Sequence, residues 1–181
     1  MKKKLCRIIF RKELEKEYQK LQDCHNAEMY EVLCELDESR RQHEVLGSVF
    51  KKFSDARIVG IEKNKREEEL LVVMRGKDIY LFGERYQGNK PLPRLYYKIV
   101  PARDNEFEYI YIQDVQAVDA NIGNGSIILK TLVEYAKECG ARKIVGNLSI
   151  ADADNADRRN HYYEKFGFKV SESRIELDLM E

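Results

Sequence analysis

The chain has 181 residues, of which 43% are hydrophobic and 35% are charged, which predicts one well-filled folded domain rather than a membrane protein. Lysine plus arginine and aspartate plus glutamate each number 32, so the formal net charge is zero and no overall field favours binding to nucleic acid or to an anionic membrane. The four cysteines lack a Cys-x-x-Cys pair and the three histidines do not cluster with them, so we expect no structural zinc and interpret each cysteine as a small buried side chain. No apolar signal sequence follows the first residues, and a reducing cytoplasm is the expected compartment.

Residues 1–55 are predicted to form a helical N-terminal segment. Between Arg11 and Phe53 there is no proline and a single glycine, Gly47, and apolar residues recur at helical spacing among many charges. These apolar residues are Leu14, Tyr18, Leu21, Val32, Leu33 and Leu36, followed by Val45, Leu46, Val49, Phe50 and Phe53. We expect the helix to break near residues 23–26. The segment then either packs as a layer on the domain that follows or forms a hairpin that joins two copies into a homodimer or binds another partner.

Residues 56–181 are predicted to form a domain built on a sheet. Five segments rich in Val, Ile, Tyr and Leu are separated by turn-prone stretches, as is typical of consecutive antiparallel strands. They are residues 57–61, 70–74, 79–82, 95–100 and 107–118. After Gly123 the pattern changes to helix, strand, helix, strand. This order predicts an α/β fold of the α+β type, with a twisted, mostly antiparallel mixed sheet flanked by helices.

A glycine-containing turn, Asn121-Ile122-Gly123-Asn124-Gly125-Ser126, joins the fifth strand to a helix with one apolar face. Its glycines lack a Cβ, which lets the backbone approach a ligand, and the helix that follows offers free N–H groups at a positive dipole end. Such a turn can bind pyrophosphate, although a tight connection without a ligand explains it equally well. A Walker loop and a dinucleotide-binding turn are disfavoured, because no Gly-Lys-Ser/Thr follows and a third glycine is missing.

A second motif, Tyr163-Glu164-Lys165-Phe166-Gly167-Phe168, ends the next predicted helix, residues 154–165. Together with the turn, which Ala120 opens, it resembles the GCN5-related N-acetyltransferase (GNAT) superfamily. In that family Arg/Gln-x-x-Gly-x-Gly/Ala follows the fourth strand, and Tyr-Glu-Lys-x-Gly-Phe ends a later helix. The resemblance covers residues 108–170. Ala120 stands where the family has Arg or Gln, so one polar contact to the phosphates is missing.

The resemblance implies that acetyl-CoA is the cofactor, used as a co-substrate. Backbone groups would bind the pantetheine arm at Gln113, Asp114 and Val115, and backbone amides would bind the pyrophosphate at Asn121, Ile122, Gly123, Asn124, Gly125 and Ser126. Asn155 lies one residue from the usual place of a family asparagine that contacts pantetheine. Tyr163 takes the place of the general acid that protonates the leaving CoA thiolate.

The base that accepts the proton of the amine is not identified by the sequence. Asp114 and Glu108 are candidates, and strand alternation places both on the same face as Ile110 and Ile112 unless a bulge reverses the order. A solvated or capping role is the favoured interpretation of each carboxylate, and an ordered water could accept the proton instead.

The sequence therefore predicts an acyl-CoA-dependent N-acetyltransferase. The acetyl group would move to a primary amine of a small molecule or peptide by direct attack in a ternary complex, without a metal. The alternative is a non-catalytic CoA-binding or partner-binding module that keeps the same fold.

Overall fold

The computed structural model of the protein describes residues 2–101, 109–148 and 155–180, with side chains described from residue 13 onward. The chain divides into two compact units, Met1–Glu44 and Val45–Glu181. The sequence predicts a boundary at residue 55. In the structure the boundary lies after Glu44, and the last turns of the N-terminal helix belong to the second unit.

One continuous helix, α1 (Lys2–Lys52), forms the N-terminal segment. The break predicted near residues 23–26 is wrong, and with it the hairpin. Within the helix, Gln19 Nε2 donates a hydrogen bond of 3.0 Å to Asp23 Oδ1, at the start of residues 23–26. Residues 23–26 are only moderately poor helix formers. Each lowers helix stability by about 0.7 kcal/mol or less relative to alanine, whereas a proline would lower it by about 3 kcal/mol. Residues 13–44 are all exposed.

The second unit contains an eight-stranded mixed sheet with the order β1-β2-β3-β4-β5-β6-β8-β7. Its strands are β1 (Arg57–Lys63), β2 (Glu69–Arg75), β3 (Asp78–Phe82), β4 (Arg94–Val100), β5 (Tyr109–Gln116), β6 (Lys143–Asn147), β7 (Lys169–Val170) and β8 (Arg174–Asp178). Neighbouring strands are antiparallel, with the exception of the parallel pair β5 and β6. The predicted mixed, mostly antiparallel sheet with flanking helices is thus confirmed at the level of fold class.

Two helices of this unit follow β5 and β6, namely α2 (Asn124–Glu138) and α3 (Ala156–Glu164). The apolar face of α2 is buried through Ile127, Ile128, Leu129, Leu132 and Ala136. The rings of Tyr97 in β4 and Tyr135 in α2 lie 5.6 Å apart, which identifies the face of the sheet that α2 covers. Val45 and Val49, at the end of α1, are also buried in the core of this unit.

Three of the four cysteines are not small buried side chains, and the side chain of Cys6 lies outside the described residues. Cys24, Cys34 and Cys139 are all exposed, so the interpretation as core residues is wrong for these three. Cys24 and Cys34 lie in the exposed part of α1, where every residue faces solvent. Within the described ranges, no helix is long and apolar enough to cross a membrane.

Candidate functional site

The pairing between the two parallel strands, β5 and β6, ends before β5 does. The pairing of β5 with β6 runs from Tyr109 and Lys143 to Ile112 and Gly146. On its other side, β5 stays paired with β4 as far as Gln116. A Cβ on Gly146 would lie 3.2 Å from Ile175 and 3.3 Å from Ile112, so this glycine permits close packing at the last pair. The described strands therefore leave residues 113–116 of β5 without a β6 partner.

A β-bulge in β5 directly follows its last pair with β6. Ile112 pairs with Tyr97 and Asp114 pairs with Tyr96, so Gln113 is the extra residue. Because Tyr96 and Tyr97 are consecutive and point to opposite faces, Asp114 lies on the face opposite to Ile112. The bulge that the alternation allowed for is therefore present, and Asp114 does not share the face of Ile110 and Ile112. Gln113 and Asp114 are exposed.

The carboxylate of Asp114 accepts a hydrogen bond of 2.8 Å from Gln116 Nε2. Val115 pairs with Leu95 and is half-buried. The other candidate base, Glu108, lies outside the described residues.

The turn between β5 and α2 contains three residues in the left-handed region. They are Val118 and Asn121, each with φ of 65°, and Gly123 with φ of 97°. A β-branched residue such as Val118 rarely adopts this conformation, so the surrounding contacts hold it there. The Lys65 backbone N–H donates to the Ile122 carbonyl at 2.8 Å, which joins the β1–β2 connection to the turn.

A buried network of polar side chains fixes the start of α2. Asn124 is fully buried, and its Nδ2 donates to the Tyr86 hydroxyl at 2.9 Å and to the Ala117 carbonyl at 3.4 Å. The Tyr86 hydroxyl donates to Asp119 at 2.6 Å, and Asn64 donates to Asn124 Oδ1 at 3.4 Å. Burial, followed by the hydrogen bond to Asp119, raises the pKa of Tyr86 to about 12. The Asn124 side chain thus has a structural role that the sequence did not indicate.

The first turn of α2 has the electrostatics of an anion-binding helix end. It has no side-chain cap at Gly123 and no acidic residue within the turn itself, so no carboxylate of its own offsets the positive dipole end. Ser126 and Gly123 are half-buried, Asn121 is exposed, and Gly125 and Ile122 are buried. Ligand access to this turn is therefore possible at Asn121, Gly123 and Ser126.

A tyrosine of α3 contacts the turn directly, and it is Tyr162. Its hydroxyl donates to the Gly125 carbonyl at 2.7 Å, and a Cβ on Gly125 would lie 3.2 Å from that hydroxyl. Burial, and then the neighbouring Tyr163, raises the pKa of Tyr162 above the usual range of a phenol. The double tyrosine could have suggested this contact, because adjacent helical residues point about 100° apart and one of them can face a glycine.

The proposed acid, Tyr163, lies in the core beside Tyr162. The residue is 9% exposed, and its ring lies 5.7 Å from that of Phe168 and 4.9 Å from that of Tyr162. Asn155, the other residue taken from the motif region, is exposed and precedes α3 without a side-chain capping bond. Tyr163 therefore packs against Tyr162, the residue that links α3 to the turn, whereas Asn155 makes no such contact in the interactions described above.

The described residues contain no group of three or more His, Cys, Asp or Glu side chains placed to bind a metal ion.

Comparisons with known proteins do not name a family. No protein-family model matches the chain. It is similar to a protein of Bacillus subtilis strain 168 known as the uncharacterized protein YocC, with 28% identity over 122 residues, which is 64% of this chain and 69% of that protein.

Proposed function

We propose that this protein binds acetyl-CoA and transfers its acetyl group to a primary amine. One observation carries the proposal: the parallel pairing of β5 and β6 ends at Ile112 and Gly146, and β5 continues alone on that side and leads through the turn into a helix whose first turn has no acidic residue. An extended amide-containing arm can pair with the free side of a strand, and a pyrophosphate can bind at the helix N-terminus. Coenzyme A contains both groups, an amide-containing pantetheine arm and a pyrophosphate.

The site residues divide between the two ends of this arrangement. Backbone groups of Gln113, Asp114 and Val115 are proposed to pair with the pantetheine arm on the side of β5 that β6 leaves. The amides of residues 121–126 are proposed to bind the pyrophosphate, with entry at Asn121, Gly123 and Ser126. Asn155 remains a candidate contact to pantetheine.

The proposed reaction is direct attack. The amine nitrogen attacks the thioester carbonyl carbon, a C–N bond forms and the C–S bond breaks. The CoA sulfur leaves as a thiolate and takes a proton from the Tyr163 hydroxyl, while the amine gives up its proton to Asp114, Glu108 or water. Tyr162 is proposed as a positioning residue, because its hydroxyl already donates to the Gly125 carbonyl.

Calorimetric titration with acetyl-CoA tests the binding step, and Ser126→Asp is the informative variant. A carboxylate in the first turn of α2 should stabilise the helix and repel a pyrophosphate. We expect an unchanged or higher melting temperature together with an affinity at least about tenfold lower, equivalent to about 1.4 kcal/mol. Ser126→Ala is the matched control and should bind almost as tightly as the wild type. Absence of binding heat for the wild type would refute the proposal.

Release of the free CoA thiol, measured with a panel of polyamines, amino sugars and peptides, tests the chemistry. Tyr163→Phe should lower kcat by about 10²-fold to 10⁴-fold, the usual contribution of a general acid, without weakening acetyl-CoA binding. Tyr162→Phe should mainly weaken binding, because it frees the turn from α3. An unchanged kcat in Tyr163→Phe would remove Tyr163 from the reaction.

The burial of Tyr163 against Phe168 favours a second candidate, the non-catalytic CoA-binding module. Tight binding of CoA without turnover of any amine in the panel would support this alternative.

A further inference from the structure

The exposed part of α1 carries an unpaired apolar stripe. We define the α1 stripe as Leu14, Tyr18, Leu21, His25, Met29, Val32 and Leu36. Its apolar members are between 48% exposed, at Leu36, and 69% exposed, at Leu21. Contiguous exposed apolar surface on a long helix is typical of an interaction site, since most helices depend on packing for their stability.

The spacing of the α1 stripe is symmetrical about His25. The steps from Leu14 to Leu36 are 4, 3, 4, 4, 3 and 4 residues, so the sequence of steps is the same in both directions. Equivalent positions recur every 11 residues, a period close to that of a straight helix, so the stripe stays on one face without strong supercoiling. A surface with this symmetry is complementary to a copy of itself turned end for end.

We propose that the α1 stripe is the contact surface of a homodimer in which two α1 helices run antiparallel, with the twofold axis at His25. This arrangement places Leu14 of one copy against Leu36 of the other, Tyr18 against Val32, and Leu21 against Met29. Every apolar member of the stripe then meets another apolar side chain.

The charge distribution along α1 selects the antiparallel orientation. Residues 2–12 contain six lysines and arginines and no acidic residue. A parallel dimer would bring these two basic segments together. The antiparallel dimer instead places each of them beside the segment that starts at Glu38, where Glu38 and Glu44 are mixed with Arg40 and Arg41. The antiparallel pairing therefore keeps all apolar contacts of the α1 stripe and avoids the electrostatic repulsion between the two basic segments.

A different antiparallel register can be rejected by comparing magnitudes. Residues 21–38 contain six acidic residues and no lysine or arginine, and they could be slid against the basic segment of the other copy. That register would form exposed ion pairs, which add little to the free energy of association. It would also lose most of the apolar pairs, each of which adds more to that free energy. The register centred on His25 places acidic segments near one another, so salt should tighten this dimer by screening their repulsion.

Molar mass in solution, measured by sedimentation and by light scattering, tests the dimer. We expect a dimer for the wild type, tighter at about 500 mM than at about 50 mM salt. Leu21→Glu should weaken association by about a hundredfold or more, because it places a charge within the apolar contact. Ala27→Glu is the matched control, since it adds the same charge on the opposite face of α1, and it should dimerise nearly as well as the wild type. Circular dichroism verifies that both variants keep the helix.

Cysteine cross-linking tests the orientation in a background where Cys6, Cys24, Cys34 and Cys139 are changed to serine. A mixture of Leu14→Cys and Leu36→Cys proteins should form a mixed disulfide dimer, because the antiparallel pairing brings these positions together. Leu14→Cys alone should not cross-link, because its two copies would be about 33 Å apart along the helix, and a disulfide needs Cα atoms within about 7 Å.

Four results would overturn the proposal. They are a monomeric wild type at about 100 µM, well above a micromolar dissociation constant; wild-type association in Leu21→Glu; cross-linking of Leu14→Cys with itself; and weaker association at high salt.

Discussion

Helices α1 and α2 have the same kind of apolar periodicity and very different surroundings. In α2 the stripe that includes Leu129 and Leu132 is completely buried. In α1 the residues from 13 to 44 are exposed, although Leu14, Leu21 and Leu36 recur at an equally regular helical spacing. Periodicity therefore determines which face of a helix is apolar, whereas packing with the rest of the molecule or with a partner determines what covers that face.

The largest expected difference between the two helices is in their response to truncation. Leu129→Ala should lower the free energy of unfolding by about 2–5 kcal/mol, because it leaves a cavity in a packed core. Leu33→Ala, at an exposed position of α1 outside the α1 stripe, should change it by less than about 0.5 kcal/mol. Urea unfolding followed by circular dichroism at low protein concentration measures both. Similar losses at the two sites would mean that α1 is covered in the isolated chain.

A medium effect is expected where a polar side chain is buried in the first turn of α2. Asn124→Ala should cost about 1–3 kcal/mol, because it removes the buried amide that donates to the Tyr86 hydroxyl and accepts from Asn64. Asn26→Ala, on the exposed part of α1, is the matched control and should be neutral or slightly stabilising, since alanine is the better helix former. A neutral Asn124→Ala would show that water replaces the network.

The smallest expected effect is a dependence on alkaline pH. Folding raises the pKa of Tyr86 to about 12, above about 10 for an unfolded tyrosine. The neutral phenol is therefore favoured in the fold, so its stabilising contribution is complete below pH 10 and is lost as the pH rises through 12. Between these values Tyr86→Phe should lose stability less steeply than the wild type. Tyr30→Phe, on the exposed part of α1, should follow the wild-type slope, and a common slope for all three proteins would contradict this role of Tyr86.

In the candidate site, local sequence patterns predicted the turn and the two helices but not the contacts between them. The turn from Asn121 to Ser126 was predicted at the start of a helix, and α2 begins within it, at Asn124. The helix that carries Tyr163 was predicted as well, and α3 ends at Glu164. Both predictions depend on glycines, capping positions and periodicity, which act over a few residues. The contact of Tyr162 with Gly125 was not predicted, because it joins residues 37 positions apart.

The order of helices and strands after residue 56, the mixed sheet and the position of the turn could all be predicted from the sequence, since these follow from backbone preferences and side-chain period. The tertiary structure decided the bulge at Gln113, the face on which Asp114 lies, the end of the β5–β6 pairing and the buried network at Asn124. It also decided that α1 continues through residues 23–26 and that its stripe is exposed. These features depend on pairing and packing between residues distant in sequence, where a shift of one position reverses a strand face and one neighbour decides whether a side chain is buried.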